Sequence, residues 1–332
     1  MAFRTLISVK EKIHSRLLQG AAIPDILWSK GLPAFCDVSG PRSYHLASTE
    51  SVQDDAFFLR HYADPHGVVW LRLGSGARVG KLCDLDIFVR SILPKLQQPI
   101  TLLTTDGDCS VPSDINPKTV SAILESHKII AWYSQNHDGT VQKKLHPFPI
   151  GLDLHTNRKF QSPKTLMNKL HEIRKGRQRM DVLPRTIFCD AHLSQSSPER
   201  YTIQNALRDA NHVIFLERRV SQILIWRHYG AHPFVISPTG WGIDCHRTWE
   251  ALLLGSIVIT RHVPIAPLFE GLAIWQINEW SELRDTKQVE LQFKRLSPLT
   301  SADYVWCRLK ATKWIEKIHQ HIEGETTSER NS

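Results

Sequence analysis

The chain has 332 residues, 42% of them hydrophobic, which is enough for one large domain or two of ordinary size with packed cores and excludes a disordered protein. Lysine and arginine number 41 against 33 acidic residues, and the resulting charge of +8 suits an anionic partner: a nucleotide sugar, a lipid-linked phosphate, a membrane surface or nucleic acid. The 6 cysteines are scattered without a Cys-x-x-Cys pair, which argues for reduced thiols and against a structural zinc site, and with no bilayer-length apolar run or signal peptide a soluble cytoplasmic protein is expected.

Residues 1–22 place Phe3, Leu6, Ile7, Ile13, Leu17 and Leu18 near helical spacing with basic residues between them. This predicts an amphipathic helix packed on its own domain, with peripheral contact to a partner or an anionic membrane as the other fate. Residues 23–66 are rich in Pro, Gly, Ser and short charged runs and read as loops. Strands at 68–71, 100–103 and 129–132 then alternate with helices over 84–97 and 117–126. Such alternation predicts an α/β fold built on a parallel sheet covered on both faces.

The run Pro147-Phe-Pro-Ile-Gly-Leu-Asp-Leu-His155, with the polar residues 156–163 after it, marks a crossover between domains over 1–155 and 156–300. The second half repeats the alternation: helices over 164–177, 198–209 and 220–229, and strands at 186–189, 212–215 and 273–277. A terminal helix over 301–323 follows, with a polar, disordered tail over 324–332. The most basic stretch, 164–185, lacks the interleaved aromatics that would stack single-stranded nucleic acid, and reads as a solvated interdomain linker.

The densest pattern is Phe234-Val-Ile-Ser-Pro-Thr-Gly-Trp-Gly-Ile-Asp-Cys-His-Arg-Thr-Trp-Glu-Ala-Leu-Leu-Leu-Gly-Ser-Ile-Val-Ile-Thr260, a strand, a glycine loop, a helix and a second strand. Asp244 falls at the expected N-cap and Gly255 at the left-handed C′ position. Arg247 lies in the first turn, where the helix dipole disfavours a cation unless an anion is close, which suggests a bound phosphate. Gly240 and Gly242 let backbone N–H groups approach that phosphate, and Glu250, one turn on, suits ribose hydroxyls. The alternative is that Arg247 pairs with Glu250 or Asp244 and the glycines only turn the chain.

The run Ser237-Pro-x-Gly-x-Gly-x-Asp-x-His-Arg-x-Trp-Glu-Ala-Leu-x-x-Gly-Ser-Ile257 resembles the nucleotide-sugar-binding segment of exostosin-like glycosyltransferases. The resemblance continues at Pro264-x-x-Pro-Leu-Phe-Glu-Gly-Leu272 and Asn278-Glu-Trp-Ser-Glu-Leu283, and earlier at Trp132-Tyr-Ser-Gln-Asn136 and Pro149-Ile-Gly-Leu-Asp153. It implies two Rossmann-like domains facing a cleft, in the GT-B manner, with the donor mainly on 160–300 and the acceptor on 25–155. It also implies transfer with inversion. The classical exostosin proteins carry a membrane anchor, which this chain does not display.

Asp106-Gly107-Asp108 directly follows an apolar strand, where open α/β sheets collect ligands, and either carboxylate suits the single general base that inverting transfer needs. An ordinary Asp-Gly turn is the plain alternative. The same Asp-x-Asp spacing would also suit Mg²⁺ or Mn²⁺, but a phosphate site built from Arg247 and backbone donors makes a metal superfluous. Asn136, His137, Asp153 and His155 are second-tier candidates for base or acceptor contact, and Trp241 for stacking on a base or sugar. Among Arg218, Arg219 and Arg227, Arg219 is favoured for the diphosphate by its place just beyond a strand. The expected co-substrate is a nucleotide sugar, with no other cofactor and no nucleic acid, and the acceptor is a glycan, lipid or protein hydroxyl. A binding protein without catalysis is the competing reading.

Overall fold

Buried apolar runs of three to eight residues set the architecture. The structure, a computed structural model, describes residues 22–74, 82–156, 161–194 and 197–330, so the helix expected over 1–22 lies almost wholly outside the described residues. The chain divides into two compact units, one of Met1–Ile150, Leu154–Lys164 and Lys310–Ser332, the other of Gly151–Asp153 and Thr165–Leu309.

In the first unit β1 (Val68–Gly74), β2 (Ile100–Gly107), β3 (Ile129–Ser134) and β4 (Leu145–Pro147) form a parallel sheet in that order. β1 is buried along its whole length, as expected of a parallel strand covered on both faces. Its one charge, Arg72, is fully buried and survives there because Asp84 Oδ2 accepts its Nε and Nη2 at 3.1 and 2.7 Å. The region 23–66, expected as loops, instead contains helices α1 (Arg42–His45) and α2 (Asp55–His61). Asp54 caps α2 by accepting the Phe57 N–H at 2.8 Å, a local signal that the loop-like composition hid. Helices α3 (Asp84–Ser91) and α4 (Pro117–Glu125) connect the strands.

In the second unit β5 (Ile187–Cys189), β6 (Val213–Phe215), β7 (Phe234–Ile236), β8 (Ile257–Arg261) and β9 (Ile274–Ile277) form a parallel sheet in the order β6-β5-β7-β8-β9. The chain moves outward from β5 to β6 and then crosses back to β7 on the other side. The sheet therefore has a switch point between β5 and β7, where ligands bind beyond the carboxyl ends of the strands. Helices α5 (Pro163–Lys175), α6 (Glu199–Leu207), α7 (Gln222–Ala231), α8 (His246–Leu253) and α9 (Thr286–Leu296) accompany this sheet.

Two further expectations change. The basic stretch is not a solvated linker, because Leu166, Met167 and Leu170 of α5 are buried at helical spacing while Lys164 and Lys175 are exposed. The terminal helix is broken into α10 (Ala302–Arg308), in the second unit, and α11 (Ala311–Arg330), in the first. α11 is held by Asp25, which accepts from Thr312 N and Oγ1 at 3.0 and 2.9 Å, and by Trp314 packed edge-on to Phe148. It runs to Arg330, through residues that the sequence reading assigns to a disordered tail. No helix among the described residues is long and apolar enough to cross a membrane.

Candidate functional site

The switch point of the second sheet carries a cluster of charged side chains. β5 ends at Cys189, so Asp190 projects from the carboxyl edge; β7 ends at Ile236, and the glycine loop leads from it into α8. Arg247, in the first turn of α8, reaches Asp190, with Nε 3.0 Å from Oδ1 and Nη2 3.4 Å from Oδ2. Both side chains are largely enclosed, at 11% and 12% exposure. The Tyr229 hydroxyl of α7 donates to the same carboxylate at 3.3 Å and accepts from Arg247 Nε at 3.1 Å. Burial and then the Asp190 charge push the Tyr229 pKa well up, so the hydroxyl remains a donor. Burial lowers the Arg247 pKa, but Asp190 and then Tyr229 outweigh it and hold the guanidinium pKa well above its ordinary value.

A second arginine completes the cluster. Arg200, in the first turn of α6, is only 4% exposed and donates through Nε to Thr239 O at 2.9 Å. Its Nη2 lies 3.9 Å from Cys245 Sγ, and Arg247 Nη1 approaches the same sulfur at 3.7 Å. Burial, then the like charge of Arg247, lowers the Arg200 pKa. Among the described residues no carboxylate lies within ion-pair distance of Arg200; neighbouring Glu199 is engaged by the Thr239 N–H and hydroxyl at 3.2 and 2.9 Å and by Arg261 at 3.9 Å. Of the two enclosed guanidinium groups, Arg247 is paired with Asp190, and Arg200 feels that carboxylate only at longer range. Beside them a crevice of about 270 Å³ is walled by Asp190, Ser194, Leu216, Arg219, Ile225 and Arg247. Arg219 is exposed there, donating to Leu193 O at 3.0 Å.

The structure thus brings Arg219 and Arg247 together. The pairing of Arg247 with Glu250 or Asp244, expected as the alternative, gives way to Asp190. Asp244 lies one residue before the N-cap, which is Cys245, and its buried carboxylate accepts from Trp249 Nε1 at 2.9 and 3.0 Å and from Cys245 N at 2.8 Å. It anchors Trp249, whose full burial stabilises the unit by about 3 kcal/mol. Glu250 is buried and accepts from Gln222 Nε2 of α7 at 3.0 Å. Gly240 N donates to Gly242 O at 3.0 Å, making a tight turn that leaves Trp241 79% exposed. Gly255 has φ +93°, and a Cβ there would strike the Arg174 guanidinium at 1.2 Å. Residues 151–153 belong to this unit, and His246 Nδ1 donates to Gly151 O at 2.7 Å, so Asp153 accompanies the α8 segment.

The first unit gathers the other candidates at the carboxyl ends of β2 and β3. Asp106 sits there at φ +65°, and its Oδ2 accepts from the buried Lys30 ammonium at 2.7 Å. Asn136 has φ +56°, and its Nδ2 and the Gln135 Nε2 both donate to Gly107 O, at 3.0 and 2.6 Å. Two non-glycine residues in the left-handed region, Asp106 in β2 and Asn136 just beyond β3, mark stored strain. Gly107 is obligatory, since a Cβ would lie 1.9 Å from Gly74 O. Lys30 occupies one oxygen of Asp106, the first of the two carboxylates in the Asp-x-Asp spacing. Asp108 is exposed and donates its N–H to Gly74 O at 3.1 Å. His137 is buried, which lowers its pKa, and His155 is half-buried in the first unit.

Sequence reasoning missed Asp190, Arg200, Tyr229 and Lys30. Two of these carried a readable signal: Asp190 directly follows a predicted strand, and Arg200 repeats the cation-in-the-first-turn anomaly of Arg247. Tyr229 and Lys30 reach their partners only through the tertiary fold.

No protein-family model matches the sequence, and no curated protein matches it. Some solved structures are similar in outline. One, described as trehalose-6-phosphate from E. coli bound with UDP-2-fluoro glucose, is 10% identical over 81% of this chain and 75% of its own, with a TM-score of 0.46. A trehalose-6-phosphate synthase studied for glycosyltransfer with retention is 10% identical over 81% of this chain and 76% of its own, with a TM-score of 0.47. The catalytic domain of starch synthase IV from Arabidopsis thaliana, bound to ADP and acarbose, is 13% identical over 81% and 75%, with a TM-score of 0.41. Likeness at this level carries no functional weight, and the site stands on the chain's own residues.

Proposed function

We propose that the chain is a nucleotide-sugar-dependent glycosyltransferase of exostosin-like type, whose second unit holds the donor diphosphate at the switch point. The supporting observation is the meeting of two enclosed guanidinium groups, Arg200 and Arg247, at Cys245 Sγ, of which only Arg247 lies within ion-pair distance of a carboxylate, that of Asp190. An enclosed guanidinium short of a counterion is costly, and a diphosphate supplies the missing charge. The N–H groups at the start of α8 face the same anion. As the glycosidic bond breaks, negative charge grows on the departing diphosphate, and in this reading guanidinium and helix N–H groups neutralise it without a metal.

The sugar passes to a hydroxyl of a glycan, lipid or protein, with inversion, as the resemblance of residues 237–257 implies. Of the two carboxylates expected as general base, Asp108 is taken as the candidate because it is exposed to an incoming acceptor, whereas Asp106 is buried. The test is release of nucleoside diphosphate from UDP-, GDP- and ADP-sugars in the presence of hydroxyl acceptors. One donor is expected to turn over, giving a product of inverted configuration, with an Asp108→Asn loss of about 100-fold or more. The Lys30–Asp106 contact also favours a second reading, a nucleotide-sugar-binding protein without transfer, which requires donor binding, no release and no effect of Asp108→Asn.

A further inference from the structure

The basic stretch that follows the crossover is not used by the donor site, yet it builds a second hollow. α5 ends at Lys175, and the chain turns through Gly176 to Arg177, whose Nη1 donates to Gly230 O and Leu254 O at 3.2 Å each. These carbonyls lie at the C-terminal ends of α7 and α8. Both helices start near the carboxyl edge of the second sheet and deliver the chain to the opposite edge, where β7 and β8 begin. The Arg177 hollow and the Asp190–Arg247 crevice therefore lie at opposite edges of one sheet.

The hollow encloses about 480 Å³, within the range of small-molecule sites. Its polar lining is Lys169, Glu172, Arg177, Gln178 and Arg227, and Ile173 and Ile223 supply apolar wall. Three cations thus face one acid, and that acid is already engaged, with Lys169 Nζ 2.7 Å from Glu172 Oε2. Among the described residues no carboxylate lies within ion-pair distance of Arg177. Burial, and then the like charge of Arg174, holds the Arg177 pKa down to about 9. Helix C-terminal carbonyls offset part of this charge but carry only fractional negative charge themselves.

We propose that this hollow binds a small phosphate-bearing molecule at a site separate from the donor crevice. Arg177 and Arg227 take the phosphate, and the carbon portion lies against Ile173 and Ile223. The proposal does not depend on the transferase reading. Its test is calorimetric titration of the full chain with inorganic pyrophosphate. Two sites are expected in the unaltered chain and one in Arg247→Ala. Lys169→Glu with Arg227→Glu, at positions exposed enough to leave the fold intact, is expected to weaken the remaining site at least tenfold and, in the unaltered chain, to leave only the donor site. The proposal is overturned if Arg247→Ala removes all binding, or if the double charge reversal titrates like its parent in both backgrounds.

Discussion

A guanidinium near the start of a helix faces the positive end of the backbone dipole, and this chain accepts that arrangement twice, at Arg200 in α6 and Arg247 in α8. Asp190 answers only part of the charge. If it acts as the internal counterion that a diphosphate joins or replaces, its removal has two linked consequences. Asp190→Ala is expected to lower the stability of the ligand-free protein by about 3 kcal/mol, because a partly buried pair is broken and the Arg247 guanidinium loses its acid. Pyrophosphate is then expected to raise the melting temperature of this variant more than that of the unaltered chain, by restoring the missing negative charge. Equal shifts in the two proteins would remove Asp190 from the anion site. Asp244 and Glu250 show the opposite outcome: both are acids at motif positions, and both are engaged by the scaffold, through Trp249 and Gln222.

Among elements, β5 is central both to the second sheet and to its titration behaviour. Its Phe188 lies near-parallel to two imidazoles of the α7 region, at centroid distances of 4.8 Å to His228 and 5.1 Å to His232, which are themselves 6.3 Å apart. Burial, then His228 and then Arg177, lowers the His232 pKa from 6.5 to about 4. The unfolded chain therefore binds a proton at this ring that the folded chain refuses. The stabilisation is present above pH 6.5 and is lost progressively as pH falls toward 4, with a slope of at most about 1 kcal/mol per pH unit after solvent screening. Denaturant midpoints measured from pH 7 to 4.5 are expected to fall, and the His232→Gln variant to flatten that dependence; an unchanged profile would exclude His232 as its source. The strands other than β4, whose Leu-His-Pro carries no such pattern, were legible because parallel strands buried on both faces read as short β-branched runs. The region before β1 was not, since its polar composition concealed α2 and the Asp54 cap. Nor was the break between α10 and α11, where the apolar spacing continues although the two helices belong to different units.

At the scale of the whole molecule, the alternation of elements announced an α/β protein with two parallel sheets, and the glycine-rich segment before α8 pointed to one end of the second sheet. Composition could not show the path of the chain, in which Gly151–Asp153 enters the second unit and Lys310–Ser332 rejoins the first. The partners of Arg247, Arg200 and Asp106 also escaped a linear reading, because each contact spans dozens of residues and depends on which strands become neighbours. Within the second unit, arginines line hollows at two opposite edges of one sheet. The most direct measurement is titration of the full chain and its Arg200→Ala variant with UDP, GDP and ADP by calorimetry. One nucleoside diphosphate should bind the unaltered chain and lose at least tenfold in affinity on Arg200→Ala, while the two proteins share a circular-dichroism spectrum. Binding of equal strength in both, or no binding of any of the three, would contradict a diphosphate site built on the buried arginine pair.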